Sequence, residues 1–113
     1  MLRQHCCAKP GVVEDYPFGE ETATFRVMGK MFALSDPFEF TLINVKCDPE
    51  LALELRAQYS AVTPGYHMNK KHWNSLMMDG SLDNQDIFKW VDHSYDLIVK
   101  SLPKTLKEEL KNL

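Results

Sequence analysis

The sequence predicts an α+β fold: a two-layer α/β domain in which an antiparallel sheet carries helices on one face. Three observations lead there. Ala23, Phe25 and Val27 alternate with Thr22, Thr24 and Arg26, the period-two pattern of a half-buried strand. Short turn signals, Gly29-Lys30 and Asp36-Pro37, separate consecutive strand candidates and leave no room for crossover helices. Apolar residues at three-to-four spacing, Leu51/Leu55/Tyr59 and then Ile87/Trp90/Val91/Ser94/Ile98/Leu102, mark two amphipathic helices. Strand groups joined by turns imply antiparallel pairing, with the helices packed on one face.

Each element follows from its residues. Residues 2–9 suit a short helix that Pro10-Gly11 stops. Residues 12–21 hold four acids, Pro17 and Gly19 and read as an irregular connection. A hairpin follows, with strands at 22–28 and 31–34 and Gly29 at the first central position of a type II′ turn. Residues 38–46, rich in Phe, Ile, Val and Thr, form a third strand. Asp48-Pro49-Glu50 opens a helix over 49–60, with Asp48 as N-cap and Pro49 at the first helical position. Thr63-Pro64-Gly65 ends it. A second hairpin pairs 66–68 with 72–78 across Asn69-Lys70-Lys71, and Asp79-Gly80 closes it. Ser81 or Asp83 caps a long helix over 83–102, and Pro103 breaks it or starts a last one carrying Leu106, Leu110 and Leu113. The buried set should include Phe25, Phe32, Leu55, Ile87, Trp90, Val91 and Ile98.

Composition bounds the function. A chain of 113 residues with no repeat, linker or composition break is one domain, residues 1–113. It is 44% hydrophobic and 26% charged, a globular balance. No apolar run approaches the roughly 18–20 residues of a membrane span, and residues 1–7 lack the apolar stretch of a secretory signal. Three cysteines, Cys6, Cys7 and Cys47, make a poor disulfide framework and suggest buried free thiols and a cytoplasmic location. The net charge of −3 is unpromising for a polyanion, but it is unevenly spread. Residues 55–78 contain no Asp or Glu and hold Arg56, Lys70, Lys71, His67 and His72, while the rest of the chain sets ten Lys/Arg against sixteen Asp/Glu.

The order Lys9-Pro10-Gly11, Pro17-Phe18-Gly19, Lys30-Met31-Phe32-Ala33 and Lys46-Cys47-Asp48-Pro49-Glu50 resembles the MmcQ/YjbR family. The most specific stretch is Pro64-Gly65-Tyr66-His67-Met68-Asn69-Lys70-Lys71-His72-Trp73, followed by Asp79-Gly80-Ser81-Leu82, Ser94-Tyr95 and Leu102-Pro103-Lys104. The resemblance implies a secretion-chaperone-like fold of order α-β-β-β-α-β-β-α. It also implies the DNA-binding label that family members often carry, with two hairpin wings at the duplex. It brings no catalytic set.

The residues themselves make an enzyme unexpected. There is no Gly-x-Ser-x-Gly elbow, no catalytic-cysteine signature and no phosphate-cradling glycine pattern, so neither catalytic residues nor a cofactor are expected. His67 and His72 with Cys47 and Asp48 lack the paired spacing of a structural zinc site, and no metal is expected. DNA binding is the leading expectation. Its residues are Arg26 and Lys30 on the first hairpin and Tyr66, His67, Asn69, Lys70, Lys71, His72 and Trp73 on the second. Lysines neutralise phosphates, an amide reads a base edge and aromatics stack on exposed bases. The plainer reading makes Asn69 a turn residue and Trp73 a core anchor. The alternative function is a protein- or peptide-binding module of secretion-chaperone-like fold, using an open sheet edge or apolar groove. One positive face shared by Arg26, Lys30, Lys70 and Lys71 favours DNA; scattered cations and a dominant apolar groove reverse the order.

Overall fold

The computed structural model describes residues 2–66 and 68–113. The elements run α1 (Leu2–Cys7), β1 (Val12–Asp15), β2 (Ala23–Val27), β3 (Lys30–Ser35), β4 (Leu42–Lys46), α2 (Pro49–Gln58), β5 (Val62–Pro64), β6 (Trp73–Met77), α3 (Asn84–Ser101) and α4 (Lys104–Lys111). The six strands form one antiparallel sheet in the order β1-β2-β3-β4-β6-β5. The α+β class with an antiparallel sheet is therefore as the sequence predicts.

Alternation decides which face is dry. Ala23, Phe25, Val27, Ile43, Val45 and Leu76 point to one side and join a single core cluster with Leu55, Ile87, Trp90, Val91 and Ile98. All seven predicted core residues are buried. α3 lies across β2, β3 and β4. Ser94 ties it down, donating to the Phe32 carbonyl at 2.6 Å and accepting from the Lys46 N–H at 2.8 Å. The expected caps are present: Asp48 accepts from the Leu51 N–H, and Asp83 accepts from the Gln85 N–H. No helix among the described residues is long and apolar enough to cross a membrane.

Four expectations need correction. Residues 12–15 are a strand, β1; this edge strand accommodates its acids because each is paired, Glu14 with the Arg3 guanidinium at 2.9 Å and Asp15 with Arg26 at 3.2 Å. The first hairpin turns one residue earlier than expected. Met28 and Gly29 carry φ of 49° and 85°, positive at both central positions as a type I′ turn requires, and Lys30 pairs with Val27 inside β3. The third strand starts at Leu42, not 38, because Asp36 organises a loop. Its carboxylate accepts from the Thr41 N–H at 2.7 Å, the Thr41 hydroxyl at 2.9 Å and the Glu39 N–H at 3.2 Å. The short strand near Tyr66 lies instead at Val62–Pro64, where Pro64 is tolerated because β5 is an edge. The connection to β6 is thus an eight-residue loop, 65–72, rather than a tight turn.

The cysteines are all free; Cys6 and Cys47 are buried, but Cys7 is exposed. Burial pushes the Cys6 thiol up to about 12 and the Cys47 thiol up to about 11.

Candidate binding groove

Strand directions bring the two hairpin tips to one end of the sheet. β3 begins at Lys30, β4 ends at Lys46 and β6 begins at Trp73, and antiparallel pairing aligns these three ends. The cations there are differently placed. Arg26 is tied by its Nε to Asp15 and by Nη1 to the Gly29 carbonyl at 3.0 Å. Lys70 donates to the Gly65 carbonyl at 3.3 Å. Lys30, Lys46 and Lys71 make no side-chain bond among the described residues, and Asp48 and Glu50 at the start of α2 sit beside Lys46 in the chain.

The 65–72 loop is built from within. Asn69 accepts from the Lys71 and His72 N–H groups at 2.9 and 3.3 Å, so its carbonyl is a turn former rather than a free base reader. Gly65 approaches β6 so closely that a Cβ would sit 2.7 Å from Trp73 Cβ, and its N–H donates to the Trp73 carbonyl at 2.8 Å. Arg56, reaching across from α2, clamps the loop from behind. Its Nε donates to Asn74 Oδ1 at 2.7 Å, and its Nη2 donates to the carbonyls of Lys70 and of Trp73, the latter at 3.1 Å. The His72 carbonyl accepts from the Cys47 N–H at 2.8 Å. Trp73 is buried, 8% exposed, and Tyr66 is exposed at 61%. His67 lies outside the described residues.

The loop folds over the helix-free face of the sheet. The Tyr66 N–H donates to Ser75 Oγ at 2.9 Å, and that hydroxyl donates to Asn44 Oδ1 on β4. Between this loop and the 16–22 connection lies a groove of about 750 Å3. Its floor is Met31, Leu34, Leu42, Asn44 and Trp73; Phe18, Glu21 and Thr22 border one side and Tyr66, Met68 and Asn69 the other. The volume is in the range of clefts that enclose small ligands or side chains, about 300–1,000 Å3. Among the described residues, the charged side chains lining the groove are both acidic, Glu21 and Asp36. Burial raises the Asp36 carboxyl, but the bonds from Thr41 and Glu39 outweigh it and hold the group below its usual value.

Of the sequence-chosen residues, Tyr66, Asn69 and Trp73 line this groove, whereas Arg26, Lys30, Lys70, Lys71 and His72 do not. Sequence reasoning missed Phe18, Met31, Leu34, Leu42 and Asn44. The signal was present: Leu34 and Leu42 are apolar residues in the phase opposite to Ala33 and Ile43, so both sheet faces carry apolar surface.

Residues 7–97 match the YjbR family. The chain belongs to this family. It is 36% identical to the protein YjbR of Escherichia coli (strain K12) over 113 residues, which covers 99% of this chain and 96% of that one. It is 37% identical to the protein YbdF of Escherichia coli O157:H7 over 90 residues, 79% of this chain and 74% of the relative. The crystal structure of a Deinococcus radiodurans protein with the DUF419 domain superposes with a TM-score of 0.89 at 35% identity, covering 97% of this chain and 85% of that one. The YjbR-family fold therefore spans almost the whole chain.

Proposed function

We propose that this YjbR-family chain is a non-enzymatic binding module that receives a peptide segment of a protein partner in the groove on the helix-free sheet face. The observation that carries the reading is the groove itself: an apolar floor whose charged lining among the described residues is acidic, bordered by two large exposed aromatics. Phe18 and Tyr66 are 62% and 61% exposed. A small molecule lying on the floor leaves such rims wet, while a polypeptide laid between them covers both. Asn44 supports the reading, because its Nδ2 donates to no acceptor among the described residues and suits a peptide carbonyl.

The DNA-binding reading takes second place. Lys30, Lys46 and Lys71 share one end of the sheet, but Arg26 and Lys70 are engaged internally. Three lysines release few counterions, so duplex binding through them is weak and steeply salt-dependent.

Panning a displayed random heptapeptide library against the protein tests the first reading. Enriched peptides should bind the wild type and lose at least tenfold in affinity with Phe18→Ala combined with Tyr66→Ala. Both positions are exposed, so folding stability should stay within about 0.5 kcal/mol. Failure to enrich any peptide, or binding indifferent to the double variant, contradicts it. Labelled duplex titrated at two salt concentrations checks the second reading: binding weakened strongly by Lys70→Glu with Lys71→Glu restores it to first place.

A further inference from the structure

We infer that the segment this groove accepts is cationic as well as apolar: an aromatic or aliphatic anchor with a Lys or Arg beside it, the cation facing Glu21 and Asp36. The inference rests on the groove being the ligand site and specifies what occupies it.

The charges decide the sign. Among the described residues, Glu21 and Asp36 are the carboxylates lining the groove, and no Lys, Arg or His lines it with them. Neither makes an ion pair among the described residues; the Arg3 guanidinium comes as near as the Pro37 carbonyl beside Asp36, to which its Nη2 donates at 2.9 Å. The ion pairs among the described residues join Arg3 to Glu14, His5 and Lys9 to Asp92, and Arg26 to Asp15. The partners of the Asp36 carboxylate are two backbone N–H groups and a hydroxyl, which hold it in place without cancelling its charge. Glu21 has no side-chain partner at all among the described residues. Two carboxylates without an ion-pair partner, set over an apolar floor, create a local field that an anionic ligand meets as repulsion and a cation meets as attraction.

Position adds a second constraint. Glu21 lies in the same connection as Phe18, three residues on, so an apolar contact and a charged one come from one wall. Both acids lie near the end of the sheet where β2 begins and β3 ends, opposite the end that carries Lys30, Lys46 and Lys71. A segment whose cation meets Glu21 and Asp36 keeps that charge away from the lysine end. An apolar side chain next to the cation then lies over Leu34 and Leu42, where burial rewards it.

Three measurements on the full chain test this. In the heptapeptide panning, enriched sequences should carry Lys or Arg next to an aromatic or branched aliphatic residue well above the library frequency, and acidic residues below it. For the strongest synthetic peptide, replacing its cation by Gln should weaken binding roughly fivefold, the scale of a partly exposed ion pair. Glu21→Lys should abolish the preference for the cationic over the Gln peptide, and raised salt should narrow it in the wild type. Enriched peptides with no excess of Lys or Arg, or a cation preference that survives Glu21→Lys unchanged, overturn the inference while leaving the groove as the binding site. No enrichment of any peptide removes the groove reading as well. Circular dichroism of Glu21→Lys guards against misfolding; should it fail to fold, Glu21→Gln gives the same comparison with a smaller change.

Discussion

Thr24, the second residue of β2, has no exposed surface, and its hydroxyl finds no hydrogen-bond partner among the described residues. A buried polar group without a partner carries a desolvation cost of about 1–3 kcal/mol. Thr24→Val keeps the shape and removes that group, so we expect it to stabilise the fold by about 1 kcal/mol; a urea midpoint lower than the wild type contradicts the burial. Arg56 is the opposite case, a cation that donates from Nε to Asn74 and from Nη2 to the carbonyls of Lys70 in the loop and Trp73 at the start of β6. Arg56→Ala should cost about 2 kcal/mol, because bonds from a charged group are lost and Asn74, 1% exposed, is left short of a donor. Hydrogen exchange at Gly65 should rise with it, whereas unchanged protection there removes the clamp. Single residues of this kind were only half legible in the sequence. Asn69 reads as a turn former from its type alone, but Arg56 reads as one more cation in an acid-free stretch until its distance to residues 70–74 is known.

Helices were legible where caps and stripes agreed. Asp48 and Asp83 sit one residue before their helices, and the stripe from Ile87 to Ile98 faces the core throughout. Trp90, 7% exposed and edge-on to Tyr59 at 5.4 Å, anchors that stripe. Trp90→Ala should cost on the order of 3–5 kcal/mol in chemical denaturation, and a loss under about 1 kcal/mol contradicts the packing. Strands were less legible, for identifiable reasons. Edge strands β1 and β5 need only one ordered partner, so they tolerate the acids of 12–15 and Pro64, which in a central strand argue against pairing. The turn at Met28-Gly29 escaped because Met seldom adopts positive φ; register, not residue type, places it there. The groove is harder to see in the sequence because Leu34 and Leu42 sit beside the core residues Ala33 and Ile43, in apolar runs that do not say which face is covered by helices.

Across the whole molecule, the N-terminal helix is fastened to the long one through Asp92. That carboxylate meets His5 Nε2 at 2.7 Å and Lys9 Nζ at 2.5 Å, while the His5 ring stacks on Phe88 at 4.2 Å. Burial raises the Asp92 carboxyl, but the bonds from Lys9 and His5 outweigh it, and the net value lies below the ordinary 3.8. A depressed folded-state value means the contribution is fully present above the unfolded value and fades as pH falls below 3.8 and through the folded one. The wild type should therefore lose more stability than Asp92→Asn between neutral pH and about pH 2, as thermal unfolding across that range measures; parallel curves contradict the fastening. The same molecule turns an unhelixed, apolar and acidic face outward, and that face is the centre of the functional account. Amide chemical-shift mapping on the full chain, with the strongest panned peptide titrated in, tests it most directly. Shifts should concentrate at Thr22, Leu34, Leu42, Asn44 and Tyr66 and leave Lys30 and the helices undisturbed. Shifts gathered instead on α3, or at the Lys30 and Lys71 end of the sheet, contradict it.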